Sequence, residues 1–177
     1  MKVEPLVLKL LKRIGVKRGQ KVLDFGCGSG TYAIPAAKIV GNGGMVYALD
    51  KDRFVLNELM EKARSSGLNN ISRIDTGGEP GIELADMSID VVLLFDVLHS
   101  YYFPRAEDRR VLLDEIHRIS KPDALTLVYP KHMDSNAKDE IEMANFYFES
   151  EHSGTLVHDN RDLEQGKVLI FTRTPKS

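Results

Sequence analysis

The spacing of hydrophobic residues changes several times along the chain, and each change marks an element. Val3, Leu6, Val7, Leu10, Leu11 and Ile14 recur at helical spacing, with Lys9, Lys12 and Arg13 on the opposite side. Pro5 suits a first turn and Gly15 a stop. That stripe predicts an N-terminal helix (within residues 1–15) packed on the domain and lidding a ligand site; its basic face would also suit a membrane surface or an acidic partner. Lys21 to Phe25 reads as a short buried strand and Thr31 to Val40 as a helix. Pro35 in that helix marks either its first turn or a bend. Gly41-Asn-Gly-Gly44 ends it, and Met45 to Leu49 predicts the second strand.

Further on, Asp52 to Ser66 predicts a helix with Val55, Leu59, Met60 and Ala63 inward, and Ile71 to Thr76 a third strand. Ile89 to Phe95 is almost continuously apolar, the mark of a parallel strand covered on both faces. Val111 to Ile119 reads as an amphipathic helix, and Lys121-Pro-Asp123 as a turn into a strand over Ala124 to Tyr129. Asp139 to Glu149 predicts a helix, and Thr155 to His158 and Lys167 to Arg173 two strands. Asp159-Asn-Arg-Asp162 between them suggests an antiparallel hairpin. Strands alternating with helices predict a doubly wound α/β domain.

One stretch carries chemistry. In Val22-Leu-Asp-Phe-Gly-Cys-Gly-Ser-Gly30 a strand runs into a glycine turn and then into a helix, which lets backbone N–H groups approach a ligand closely. Asp24 sits at the mouth of that turn, where a carboxylate repels a pyrophosphate and suits a ligand bearing an ammonium group. The G-x-G-x-G spacing of Gly26, Gly28 and Gly30 also differs from the G-x-G-x-x-G of dinucleotide sites. Asp50, at the end of the second strand, falls where an acidic residue bonds ribose hydroxyls; capping the next helix is the structural alternative.

Composition narrows the partners. A length of 177 residues predicts one domain, residues 1–177, and a net charge of −2 gives no global reason to bind nucleic acid or anionic membrane. From Asp134 to Gln165 nine acidic residues face two basic ones, which further disfavours nucleic acid. The lone Cys27 excludes an intramolecular disulfide and a multi-cysteine mechanism. No apolar run approaches a membrane span, and Lys9, Lys12 and Arg13 interrupt any signal-peptide core. The expectation is a soluble cytoplasmic protein. No His or carboxylate set has recognisable metal-ligand spacing, so no metal is expected.

The glycine stretch resembles motif I of the class I S-adenosylmethionine-dependent methyltransferases. The resemblance continues in order through Val46-Tyr-Ala-Leu-Asp50, Ile89-Asp-Val-Val-Leu-Leu-Phe-Asp-Val-Leu-His99 and Leu113-Asp-Glu-Ile-His-Arg-Ile-Ser-Lys-Pro122. It covers roughly Gln20 to Pro130 and is closest in look to the ubiquinone/menaquinone-biosynthesis-like enzymes that act on small molecules. It implies a seven-stranded Rossmann-like sheet of order 3-2-1-4-5-7-6, parallel except for strand seven. It also implies S-adenosyl-L-methionine as cofactor and S-adenosyl-L-homocysteine as product. On this resemblance the cofactor-binding residues are Asp24, Phe25, Gly26, Cys27, Gly28, Gly30, Asp50, Lys51, Gly77 and Asp96. Two departures stand out. Where the family usually has a Gly-Asp pair near the adenine, this chain has Asp75-Thr-Gly-Gly-Glu79, leaving Asp75, Glu79 or the backbone of Gly77 or Gly78 as the contact. Where Pro-Gly-Gly is common, it has Pro122-Asp-Ala124.

Methyl transfer is chiefly alignment of donor and nucleophile, which positioning alone can assist by roughly 7–11 kcal/mol. An acceptor that must lose a proton needs a base. His99, following the fourth strand, is the first candidate and His132 the second; the alternative for either is shaping the pocket or bonding backbone. Tyr101, Tyr102 and Phe103 would wall an apolar or cationic acceptor. Phe146, Tyr147 and Phe148 read as core. No Asn/Asp-Pro-Pro-Tyr/Phe follows the fourth strand, which weakens amino-group methylation of adenine, cytosine or glutamine. A small acceptor, or a pocket completed by a second subunit in a homodimer, follows. The rival readings are a non-catalytic S-adenosylmethionine-binding module, a nicotinamide-dependent oxidoreductase and methyl transfer to a macromolecule.

Overall fold

The computed structural model describes residues 3–133, 135–158 and 162–174. In chain order the elements are α1 (Val3–Arg13), β1 (Lys21–Phe25), α2 (Ala33–Val40), β2 (Met45–Asp50), α3 (Arg53–Ser65) and β3 (Ile71–Asp75). Then come β4 (Ile89–Phe95), α4 (Ala106–Ile119), β5 (Ser120–Tyr129), α5 (Ala137–Met143), β6 (Tyr147–His158) and β7 (Asp162–Thr172). The strands form one sheet of order β3-β2-β1-β4-β5-β7-β6. All pairings are parallel except those of β7, which runs antiparallel to β5 and to β6. The fold class and strand order implied by the resemblance are therefore those of the molecule.

Burial explains why each sequence suits its place. In β4, Ile89, Val91, Val92, Leu93 and Leu94 are all buried, because helices cover both faces of a central strand. The edge strand β6 is exposed or half-buried along most of its length and fully buries only Leu156 and Val157. Two cores form, one on each face. Val22, Val46, Val91 and Leu93 pack with α1, α2 and α3, whereas Leu23, Val92 and Leu94 pack with α4 and Ile141 of α5. Successive β1 residues thus point to opposite cores, as the two-residue strand period requires. The N-terminal helix buries Val7, Leu10 and Leu11 and lies against α2 and β6, with Glu4 paired to Lys38. None of its described residues lines the cleft described below. No described helix is long and apolar enough to cross a membrane.

Several expectations shift in detail. Pro35 is the third residue of α2 and lies in its first turn, where no N–H is missed. Leu56, not Val55, joins Leu59 and Ala63 in the core, while half-buried Val55 turns to the cleft. Lys121-Pro-Asp123 lies inside β5 as an irregularity: Ile89 pairs with Ser120, but Val91 already pairs with Leu125. The helix expected over Asp139 to Glu149 is corrected most. It ends at Met143, Asn145 adopts a left-handed φ of 64°, and Tyr147 opens β6. Asn tolerates that conformation because its short polar side chain can bond backbone locally, and like glycine it often ends helices there. Phe146 is core, but Tyr147 is exposed on the strand. The short strands expected at Thr155 and Lys167 belong to a long β6–β7 hairpin, in which Thr155 pairs with Gln165 near the turn and Lys167 with Ser153 further out. Of the expected turn Asp159–Asp162, Asp162 opens β7 and the rest lies outside the described residues.

A partly buried ion pair ties α4 to α5 and to the loop after β4. Arg109 on α4 donates to both carboxylate oxygens of Glu140 on α5, at 2.8 and 2.9 Å, and to the carbonyl of Phe103 at 2.7 Å. Glu140→Ala removes the bidentate carboxylate from a guanidinium that is 8% exposed. A loss of about 3 kcal/mol in stability is expected, read as a lower urea midpoint with unchanged slope.

Candidate functional site

The C-terminal ends of β1, β2 and β4 open into a cleft of about 440 Å³, where a doubly wound sheet places ligands. Its floor is the glycine turn. Gly26 and Cys27 donate to the carbonyl of Leu49 at 2.8 and 3.0 Å, and Gly28 donates to Asp50 at 2.8 Å. Gly26 has a φ of +73°, and a Cβ there would stand 2.4 Å from Val97, so no other residue fits. At Gly28 a Cβ would meet nothing within 4 Å, because that residue faces the open cleft.

Two carboxylates flank the turn. Asp24 is 3% exposed; Ala33 at the start of α2 donates its N–H to the carboxylate, and Oδ2 has no hydrogen-bond partner. Burial first, and then the nearby charge of Asp50, push its pKa from an ordinary 3.8 up to about 7, against the Ala33 N–H. Such a group seeks a cation. Asp50 accepts from Gly28 through one oxygen and from Asp52 N–H through the other, at 2.9 Å. It therefore stitches the turn to the start of α3, while Asp52 itself caps that helix by accepting from Phe54 at 2.8 Å.

Most residues expected to bind the cofactor meet here: Asp24, Phe25, Gly26, Cys27, Gly28, Asp50, Lys51 and Asp96 all line the cleft. Gly30 and Gly77 do not. Gly30 supports the turn from behind, at φ +92° and packed close to Leu59 and Ile34. Beside β3 the wall is made by Thr76, Gly78 and Glu79, whereas Asp75 faces away, held below the usual carboxylate range by its bonds to Arg73. The buried Cys27 thiol is pushed far above its ordinary pKa by burial and by both carboxylates, so it is no nucleophile at neutral pH.

Sequence spacing misses the far wall. Tyr32 packs edge-on to Phe95 with ring centroids 4.6 Å apart. Its buried hydroxyl donates to the carbonyl of Val157 at 3.1 Å and accepts that residue's N–H at 2.9 Å. This anchors the end of β6, and with it His158, over the cleft. Tyr129, also on this wall, bonds Glu164. The only local hint was aromatic residues beside the turn and at strand ends.

A second, more open depression of about 450 Å³ adjoins the first and shares Asp96, Tyr102 and His158 with it. His99, Ser100, Tyr101 and His132 complete it. His99 is 6% exposed, and both ring nitrogens meet backbone: Nε2 lies 3.1 Å from the carbonyl of Asp96, and Nδ1 accepts from Tyr101 N–H at 3.2 Å. That geometry is the pocket-shaping alternative rather than that of a free base. His132 is half exposed and points its Nδ1 at the Asp96 carboxylate.

Comparisons with known proteins agree with this architecture. Residues 16–168 match a family described as "Methyltransferase domain". Demethylmenaquinone methyltransferase of Geobacillus stearothermophilus is 30% identical over 118 residues, 67% of this chain and 48% of that protein. A probable cobalt-precorrin-6B C(15)-methyltransferase (decarboxylating) of Saccharolobus solfataricus is 42% identical over 73 residues, 41% of this chain and 36% of that one. The chain spans about half the length, or less, of these curated relatives. A solved SAM-dependent methyltransferase from Aquifex aeolicus superposes with a TM-score of 0.71 at 24% identity, covering 93% of this chain and 88% of that one. A methyltransferase from Methanosarcina mazei gives 0.74 at 16%, covering 94% and 98%. The sheet order, the glycine turn and the match over most of the chain together mean that this chain belongs to the class I S-adenosylmethionine-dependent methyltransferase domains.

Proposed function

We propose that the chain transfers a methyl group from S-adenosylmethionine to a small-molecule acceptor entering beside Tyr101 and Tyr102. The observation that carries this is the partnerless, buried Oδ2 of Asp24 at the floor of the cleft. It fits the ammonium of the cofactor's methionine end, and the open space at Gly28 lets backbone approach it. The remaining lone pairs of Asp50 suit a ribose diol. Thr76, Gly78 and Glu79 suit the adenine edge in place of the family's Gly-Asp pair, with Lys51 beside them.

When bound, S-adenosylmethionine supplies a methyl group on a sulfonium that departs as a neutral thioether. Phe95, Tyr32 and Tyr129 exclude water from the middle of the cleft. The acceptor's reacting atom is held where the two cavities meet, at Asp96, with the exposed rings of Tyr101 and Tyr102 against its apolar part. His99 braces the loop after β4 through its two backbone bonds. Identity to proteins named demethylmenaquinone methyltransferase supports a small aromatic acceptor. The second depression is large enough for one without a second subunit.

Calorimetric titration tests the reading. One equivalent each of S-adenosylmethionine and S-adenosylhomocysteine is expected to bind, and NADH to give no heat. A response to NADH alone would overturn it. With the cofactor bound, quinol and phenol compounds should accept methyl in a radiolabel screen; cofactor binding with no turnover on any acceptor would favour a non-catalytic module instead.

A further inference from the structure

The rim between the two cavities gathers an unusual set of side chains. Nδ1 of His132 stands 2.8 and 2.9 Å from the two carboxylate oxygens of Asp96, and Nε2 of His158 stands 3.1 Å from Oδ2. Donor atoms of Asp96, His99 and His132 all lie within 4.8 Å of one another. The three rings form a row, with centroids 5.8 Å apart for His99 and His132 and 5.5 Å for His132 and His158. They arrive from the loop after β4, the loop after β5 and the end of β6. Asp96 is held in a left-handed conformation, φ 58°, with its N–H donating to Tyr129 at 3.0 Å. A non-glycine residue there stores roughly 1 kcal/mol or more of strain, which the surrounding fold must hold in place.

We propose that Asp96, His132 and His158 form a binding site for a divalent transition-metal ion such as Zn(II) or Co(II). Two imidazole nitrogens and one carboxylate are the donor set such ions prefer, over the all-oxygen sets of calcium and magnesium. Ligand atoms bonded to one ion at about 2.0–2.2 Å stand on the order of 3 Å apart. His132 and His158 hold their nitrogens at that distance from the carboxylate oxygens, as hydrogen-bonded pairs that an ion would replace. His99 is within reach but is already engaged by two backbone groups, so it backs the site rather than ligating. It fixes the backbone from which Asp96 projects.

An ion held there would border the second depression, which Asp96, His132 and His158 line and where the acceptor is placed; this role, unlike the site itself, rests on the methyl-transfer reading. A hydroxyl bound to the ion loses its proton to water more readily. Its oxygen then bonds to the methyl carbon while the carbon–sulfur bond breaks and that electron pair returns to sulfur. The class of acceptor implied is one with an enol, phenol or hydroxy-acid oxygen able to bind a metal.

The test uses the tag-free full chain, stripped with chelator and titrated with Zn(II) and Co(II) by calorimetry, with the visible absorption of Co(II) as second readout. One equivalent should bind in the wild type. Asp96→Asn, His132→Gln and His158→Gln should each weaken it by more than about tenfold, and His152→Gln should leave it unchanged. His132 is at the surface, so that variant folds and keeps the test decisive. No saturable binding, or equal binding in the three variants, overturns the proposal. The same samples are titrated with S-adenosylhomocysteine. Cofactor binding without metal binding removes only the ion site, and metal binding without cofactor binding removes only the methyl-transfer reading.

Discussion

Asp24→Asn is expected to weaken S-adenosylmethionine binding by more than about 100-fold while making the ligand-free protein more stable at pH 8. The two effects share one cause. A carboxylate that is 3% exposed and beside Asp50 is costly to ionise, and its pKa rises from 3.8 to about 7. A rise of that size corresponds to about 4 kcal/mol, to order of magnitude. The sign follows from proton counting. Between pH 4 and 7 the folded protein binds more protons at this site than the unfolded chain, so the site's contribution to stability falls as pH rises through that window. Above pH 7 the full penalty is present. Asn cannot ionise and still accepts from Ala33, so its gain appears in thermal melts at pH 8 and vanishes below about pH 4. On the proposed reading the cofactor's ammonium offsets the penalty in the wild type, and removing that charge partner should cost about 2–5 kcal/mol of binding. Affinity in the wild type should weaken as pH drops below 7, and again above about 8 as the ligand's amino group deprotonates. Only the acid limb should disappear in Asp24→Asn. A variant that binds normally would dismiss Asp24 as the ammonium site.

Asp50→Ala carries the second large effect, loss of measurable cofactor binding. Its carboxylate holds Gly28 N–H and Asp52 N–H, so truncation frees the floor of the cleft as well as removing the acceptor for the ribose. Each orphaned N–H costs about 1 kcal/mol or more where water does not reach it. The same change removes a like charge that raises Asp24, so the pH at which stability declines should move down. Titrating stability against pH in this variant separates the two roles. A lost affinity with an unmoved pH midpoint would mean that Asp50 acts through the ribose and the turn alone.

How much of this was legible beforehand follows from the range over which each rule acts. The strand, glycine turn and helix at Val22 to Gly30 are written in consecutive residues, and so are the acidic residues that end β1 and β2. Asn145 shows the limit. The polar run Lys138-Asp-Glu-Ile-Glu-Met143 favours helix, but the exit at Asn145 and the long pairing of β6 with β7 depend on a partner strand far along the chain. Likewise, Asp75 looked as fit for the adenine as Glu79 until Arg73 was seen to hold it outside the cleft.

The sequence by itself determined the α/β alternation, the glycine turn and the two carboxylates beside it, because turn chemistry and strand periodicity act between near neighbours; the family and its strand order came from the resemblance of the ordered motifs. Only the tertiary structure decided what stands at the rim. Tyr32 meets Val157 across 125 residues, and Asp96 meets His132 across 36 and His158 across 62. No spacing rule spans such separations. It is the order of strands in the sheet that carries β4, β5 and β6 to one edge of the cleft, and that convergence turned scattered histidines into a candidate site.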